Sequence, residues 1–262
     1  MITNVFDFSG KTALVTGGAS GIGLATAQML AKHGASVAVL SRKLDDSETT
    51  AARLEGLGQH IALGADVGLE EPMREAFATC ARTWTQLDVL VINAGINGVW
   101  CPVDELETAE WDETMQVNLR GTFLTLKYAL PMLRARGGSV IIVASINGNR
   151  MFNNLGATAY ACSKAAQVAF AKMTALELAP HKIRVNVICP GAIRTNIGKS
   201  TAIRNVEKIP LPAKQPYIPL SENEPGTAEQ VAELACFLAS SAATHITGTD
   251  IYIDGAQSLL GT

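Results

Sequence analysis

Short apolar runs rich in β-branched residues alternate along the chain with longer segments whose apolar positions recur at helical spacing. Residues 12–16 (TALVT), 36–40 (SVAVL), 60–63, 87–92, 139–144, 184–188 and 250–253 read as strands. Between them, residues 22–32, 45–57, 70–84, about 111–133 (with Pro131 in the last turn), 159–178 and 228–238 read as helices. The strand runs are apolar at successive positions, so both faces of each strand are to be buried. Strict alternation of such strands with helices predicts an α/β fold with a parallel sheet covered on both sides.

One stretch breaks the rhythm. Six of the ten prolines fall between Pro190 and Pro225, Gly191, Gly198 and Gly226 punctuate the same region, and no period is visible. A long aperiodic loop inside a compact domain is usually a functional lid or a disordered stretch, and residues 192–226 are read as a substrate lid. No repeat or second domain shows, so residues 1–262 are expected to form one domain.

Composition narrows the class. Apolar residues make up 48% and charged residues 17%, enough for a large core. The net charge of −3 offers no basic field for a nucleic-acid backbone, so no nucleic-acid partner is expected. Five scattered cysteines without a CxxC pair fit a reducing compartment. Four dispersed histidines indicate no metal site. The opening residues 1–7 lack the basic start and apolar run of a signal peptide, and the longest apolar stretches, near 140–143 and 89–92, are too short to span a bilayer. A cytoplasmic protein with no membrane partner is the expectation.

The first strand runs into Thr16-Gly17-Gly18-Ala19-Ser20-Gly21-Ile22-Gly23, where a helix starts. Glycines permit a tight turn and close backbone approach, and free N–H groups at a helix N-terminus attract phosphate. The spacing G-x-x-x-G-x-G differs from G-x-G-x-x-G and lacks the Lys-Ser/Thr of an ATP-binding P-loop. Further on, Tyr160 and Lys164 stand at i and i+4 on one helix face, downstream of a strand ending in Ser145. A free tyrosine has a pKa of about 10, and a neighbouring ammonium is expected to lower it into use as a proton-transfer group.

These motifs resemble the short-chain dehydrogenase/reductase family of the classical type, whose hallmark is T-G-x-x-x-G-x-G, and the resemblance runs from about Lys11 to Asp254. It implies a single-domain Rossmann fold with seven parallel strands, and hydride transfer between a nicotinamide cofactor and a small-molecule carbonyl or secondary alcohol. Tyr160 would be the acid/base, Ser145 would polarise the substrate oxygen, and Lys164 would also hold the nicotinamide ribose. Asn118 would position a water linking Lys164 to solvent; its apolar neighbours Met115, Val117, Leu119 and Phe123 favour a buried placement over a solvent-facing one. Gly17, Ser20, Gly21, Ile22 and Gly23 would cradle the cofactor diphosphate. Asn93, Ala94 and Gly95 would lie along its ribose, or form a plain turn. Pro190, Gly191, Ile193 and Thr195 would back the nicotinamide. Asp66, followed by Val67, would meet the adenine amino group, or act as a helix cap. Family members are commonly oligomers, so a homotetramer or homodimer is expected.

The end of the second strand selects the cofactor. A carboxylate there would accept from the ribose hydroxyls of NAD, whereas an arginine would favour a 2′-phosphate. Here Ser41, Arg42 and Lys43 occupy the segment, which favours NADP(H). The other reading makes Arg42 a solvated loop charge and leaves NAD(H) in use. The loop 146–158 is about two residues longer than the resemblance leads one to expect. Its Arg150 could clamp a substrate carboxylate or lie in solvent, and Trp100 with the lid should shape the pocket. Cys162 reads as a small packing residue. A non-catalytic dinucleotide-binding regulator is the competing class, although Asn118, Ser145, Tyr160 and Lys164 are all present.

Overall fold

A computed structural model of the chain describes residues 6–211 and 217–260. The first five residues of the stretch read for targeting, and residues 212–216 of the lid, lie outside the described residues. The strands are β1 (Thr12–Thr16), β2 (Ser36–Ser41), β3 (Ile61–Gly64), β4 (Val89–Ile92), β5 (Gly98–Trp100), β6 (Gly138–Val143), β7 (Ile183–Pro190), β8 (Thr201–Ile203) and β9 (Asp250–Ile253). The helices are α1 (Gly21–Lys32), α2 (Leu44–Ala51), α3 (Glu70–Thr83), α4 (Thr108–Met115), α5 (Gly121–Leu133), α6 (Thr158–Leu178) and α7 (Ala228–Ala239).

Seven strands form one parallel sheet in the order β3-β2-β1-β4-β6-β7-β9. Continuous apolarity along each strand is resolved into two cores. In β1, Ala13 and Val15 enter one core while Leu14 enters the other, and in β2 Val37 and Val39 are likewise separated from Ala38 and Leu40. Helices α1 and α7 cover the first face, and α3, α5 and α6 cover the second. Leu14, Leu30, Leu40, Leu90, Ile141 and Ile142 are fully buried, each contributing roughly 1.5–3 kcal/mol by leaving water. This is the Rossmann arrangement. The strand order reverses between β1 and β4, which opens a crevice at the C-terminal ends of these strands.

Three elements depart from expectation. Helix α2 ends at Ala51, short of residue 57: the chain turns at Gly56 (φ 125°), and Leu57 is fully exposed. The helix expected over 111–133 begins at Thr108, where Glu107 and Glu110 form a capping box, and residues Gln116–Arg120 wind as a π-helix between α4 and α5. The stretch 192–226, read above as a lid, is not purely irregular. Its β8 pairs in parallel with β5, outside the main sheet.

Candidate active site

The turn between β1 and α1 is built from bare backbone. Gly17 has φ +64°, and a methyl group on Gly23 would overlap the Gly17 carbonyl and stand 2.5 Å from Asn93 Nδ2. Ser20 is extended, its side chain makes no cap bond, and α1 has no acidic residue in its first turn. The first-turn N–H groups and the positive end of the helix dipole are therefore left for an external anion. A cradle this narrow, glycine at its closest approaches and without negative charge in its first turn, fits a dinucleotide diphosphate.

Neighbouring strand ends close around it. Asn93 Nδ2 donates to Thr16 O (3.1 Å) and Gly17 O (3.3 Å), while the Asn93 and Ala94 N–H groups donate to Thr16 Oγ1 (3.0 and 3.2 Å). Asn93 thus ties two strand ends together, which a plain turn would not do. On the far side, Gly191 N donates to Ile253 O (3.0 Å) after Pro190 ends β7, and Ile193 bridges Gly226. Thr195 comes to the cradle itself: its Cβ lies 3.3 Å from where a methyl on Gly21 would be. At the end of β2, the Ser41 hydroxyl donates to Lys43 O (2.7 Å), and the Arg42 and Lys43 side chains are exposed. Asp66 Oδ1 accepts from Gly68 N (2.9 Å) in a local turn, while Leu69 takes the N-cap of α3, so Asp66 is not the helix cap. Val67 is buried and would meet a methyl on Gly121 at 2.8 Å.

The second group lies on α6. Tyr160, Ser163, Lys164 and Gln167 share its buried face at the i, i+3, i+4, i+7 spacing. Cys162 points away and is exposed, which corrects its reading as a packing residue. Lys164 Nζ donates to Val143 O (3.0 Å) and sits 5.6 Å from the centroid of the Tyr160 ring. Ser145, at the end of β6, is buried and accepts from Asn147 N at 3.2 Å. Asn118 is fully buried within the π-helical stretch, so the solvent-facing reading fails. Its Oδ1 accepts from Ile96 N (2.9 Å), and its Nδ2 donates to Ile96 O (2.9 Å) and Ser163 Oγ (3.0 Å). Ser163 Oγ in turn donates to Tyr160 O (2.7 Å).

Burial sets the protonation states. It pushes the Tyr160 phenol above its ordinary value, with the Ser145 hydroxyl opposing in part. The expectation that Lys164 lowers this phenol is therefore corrected: the shift is upward, and burial is its largest cause. Burial also pulls Lys164 down to about 8. Between about pH 8 and 10.5 the unfolded chain consequently binds more protons at this lysine than the folded one, and stability from this group rises with pH. The buried thiols Cys80, Cys189 and Cys236, pushed up to about 12, act the opposite way from about pH 9. The Lys164 effect is thus read as a difference. Urea unfolding at pH 7.5 and 10 should show the wild type gaining on Lys164→Met by about 2 kcal/mol across the window; a pH-independent difference would contradict a depressed lysine.

The comparisons with known proteins bear on this site as a whole. The family model described as Enoyl-(Acyl carrier protein) reductase matches residues 17–256. Oxidoreductase UcpA of Salmonella typhimurium is 37% identical over 256 residues, covering 96% of this chain and 95% of that protein. The chain belongs to the short-chain dehydrogenase/reductase family. Among solved structures, a 3-ketoacyl-ACP reductase from Sinorhizobium meliloti 1021 superposes with a TM-score of 0.90 at 49% identity, covering 95% of this chain and 99% of the other. A 3-ketoacyl-(acyl-carrier-protein) reductase from Brucella melitensis, complexed with NADH, superposes with a TM-score of 0.84 at 29% identity, covering 96% and 100%. As a short-chain dehydrogenase/reductase, the protein is a nicotinamide-dependent oxidoreductase acting on CH–OH and C=O groups.

Around this short-chain dehydrogenase/reductase core lie features that sequence reasoning missed. Thr16, Ser163 and Gln167 carry hydrogen bonds of the site; for the last two, the polar stripe 160/163/164/167 on an otherwise apolar helix was the available signal. Arg150 is exposed, as its reading as a solvent-facing residue has it, and its Cζ stacks 3.4 Å from the Tyr252 ring centroid. Beside it, Asn149 Nδ2 donates to Asp250 Oδ2 (3.1 Å) and Tyr252 Oη (2.6 Å), which pins the longer loop to β9. Residues 201–208 of the stretch 192–226 are tied to the segment between β4 and α4 and to α4 itself. Asn97 Nδ2 donates to Thr201 Oγ1 (2.7 Å), and Arg204 forks onto Glu110 (2.7 and 2.8 Å). Asn205 and Lys208 hold Glu105 at 2.6 and 2.8 Å. Among the described residues, no helix is long and apolar enough to cross a membrane.

Proposed function

We propose that the protein interconverts a small-molecule carbonyl compound and its secondary alcohol with Tyr160 as the proton-transfer acid/base and NADP(H) as the preferred cofactor. The observation that carries this reading is the buried Tyr160–Ser145–Lys164 group, on a sheet whose crevice also holds a bare-backbone anion cradle. Gly17, Ser20, Gly21, Ile22 and Gly23 would hold the diphosphate, and Ser41, Arg42 and Lys43 the 2′-phosphate. Asp66 and Val67 would face the adenine; Asn93, Ala94 and Gly95 the ribose; Pro190, Gly191, Ile193 and Thr195 the carboxamide. When bound in its reduced form, the nicotinamide supplies a hydride to the carbonyl carbon. The Tyr160 Oη–H donates its proton to the carbonyl oxygen, which the Ser145 hydroxyl polarises by a second hydrogen bond. The Lys164 ammonium beside the ring offsets the phenolate that remains. A phenol raised by burial is held protonated near neutrality, the form that reduction requires.

Residues 192–226 would act as the substrate lid, with the β5–β8 pair and the Arg204–Glu110 fork holding it over the crevice. The working unit is read as a homo-oligomer, dimer or tetramer, because Phe123 on α5 and Met173 and Leu176 on α6 leave apolar surface outward.

A panel of carbonyls and alcohols, followed by nicotinamide absorbance with both NADPH and NADH, tests the function. Dinucleotide binding without turnover of any compound would replace it by the regulator reading. For the cofactor, Arg42→Asp should shift the NADPH/NADH ratio of kcat/KM towards NADH by about 10- to 100-fold, the loss of one charge-assisted contact plus a new repulsion. An unmoved ratio would show that Arg42 does not read the phosphate.

A further inference from the structure

The main-chain carbonyl of Asn118 sits in the π-helical stretch, where the backbone ladder departs from regular α-helical spacing. Two side chains take it up: Thr122 Oγ1 donates at 2.7 Å and Gln167 Nε2 at 3.0 Å. Gln167 Nε2 also donates to Thr122 Oγ1 at 2.7 Å, closing a small ring of hydrogen bonds. Gln167 is 1% exposed, and its Oε1 has no partner among the described residues. An unpaired buried carbonyl costs about 1–3 kcal/mol. Its neighbours on the buried face of α6 beyond Lys164 are Val168, Ala171 and Ala175. For packing alone, an apolar side chain would serve that position better.

We propose that Gln167 is a positioning residue for the reaction, holding the Asn118 carbonyl so that the Asn118 carboxamide stays locked against Ile96 and Ser163 beside the Tyr160–Lys164 pair. This rests on the function proposed above. The side chain of Asn118 meets three points at once, Ile96 N, Ile96 O and Ser163 Oγ, and Ser163 passes the contact to the Tyr160 carbonyl. A methyl placed on Gly95 would stand 3.1 Å from Asn118 Oδ1 and 3.5 Å from Lys164 Nζ, so the carboxamide oxygen and the ammonium flank the same point in the crevice. Releasing the Asn118 backbone would let that oxygen dipole swing and change the field at Lys164. The other titratable groups facing Lys164 are Tyr160 on its own helix and Cys189 on β7, the latter also within the fields of Arg150 and Asp250. Among the described residues Gln167 makes no hydrogen bond to any of them, its bonds going to Asn118 O and Thr122 Oγ1 instead.

The test uses Gln167→Met, close in length and apolar, and Gln167→Glu, close in shape. In the methionine variant, unfolding temperature and dinucleotide affinity (fluorescence titration) should hold at the wild-type level or above. With the carbonyl compound found by the panel, KM should stay within about twofold while kcat falls about 10- to 100-fold, and the pH profile of kcat should move. The glutamate variant should recover part of the rate towards acid pH, where its carboxyl is protonated and can donate to the Asn118 carbonyl. A methionine variant with wild-type kcat and an unmoved pH profile would reduce Gln167 to packing. Should that variant not fold, the glutamate variant decides: a rate that ignores the protonation of residue 167 overturns the proposal. Full activity in Tyr160→Phe would sink the underlying function. Full activity in Gln167→Met beside an inactive Tyr160→Phe would sink only this inference.

Discussion

Tyr160→Phe should abolish turnover, lowering kcat by roughly 100- to 10,000-fold, while leaving the dinucleotide bound with little change in affinity. The substitution removes one oxygen and keeps the ring that fills the space beside Lys164, where Tyr160 is 8% exposed. What is lost is the proton donor, and general acid catalysis of this kind contributes about that factor. Stability should move by only about 1 kcal/mol, because one hydroxyl and its contact with Ser145 disappear together with their desolvation penalty. The decisive measurement pairs steady-state kinetics with a fluorescence titration of the same sample. Substantial turnover in a correctly folded variant would show that another group carries the proton, and Ser145 would then be the first to test.

Gly23→Ala should be the most damaging single change in the cradle. Its methyl group would overlap the Gly17 carbonyl and press on Asn93 Nδ2 at 2.5 Å. Neither can retreat cheaply, since Asn93 is bonded to both Thr16 O and Gly17 O. Strain of this sort costs about 1–3 kcal/mol. Relieving it means opening the turn, so dinucleotide affinity should fall by about 100-fold or more, which is about 2.7 kcal/mol. Gly198→Ala is the control: nothing lies within 4 Å of its added methyl, and both stability and affinity should hold. Denaturant unfolding and dinucleotide titration of the pair check the contrast. Equal behaviour of the two variants would mean that the close approach at Gly23 is not what builds the cradle.

The parts legible from residue order were those governed by neighbours one turn or one strand away. Apolar runs on both strand faces imposed a covered parallel sheet, and the glycine spacing before α1 imposed a tight, glycine-rich turn. The Tyr160/Lys164 interval put both on one helix face. The same logic found Asn118 inside a buried helix, because its flanks are apolar. It reached too far at residues 52–57, where helical composition runs past Ala51 but the chain turns away at Gly56.

What the tertiary structure alone decided involves partners far apart in the chain or properties of the surroundings. The Asn118–Ser163 and Gln167–Asn118 bonds join residues 45 and 49 positions apart. The pairing of β5 with β8, and the stacking of Arg150 on Tyr252, span about a hundred residues. No local pattern encodes such pairings, because each side chain could satisfy itself in many other ways until the sheet fixes its neighbours. The protonation of Tyr160 belongs to the same class. An adjacent lysine argues for a lowered phenol when only i and i+4 are visible, whereas the burial that raises it exists only once the chain has folded around the ring.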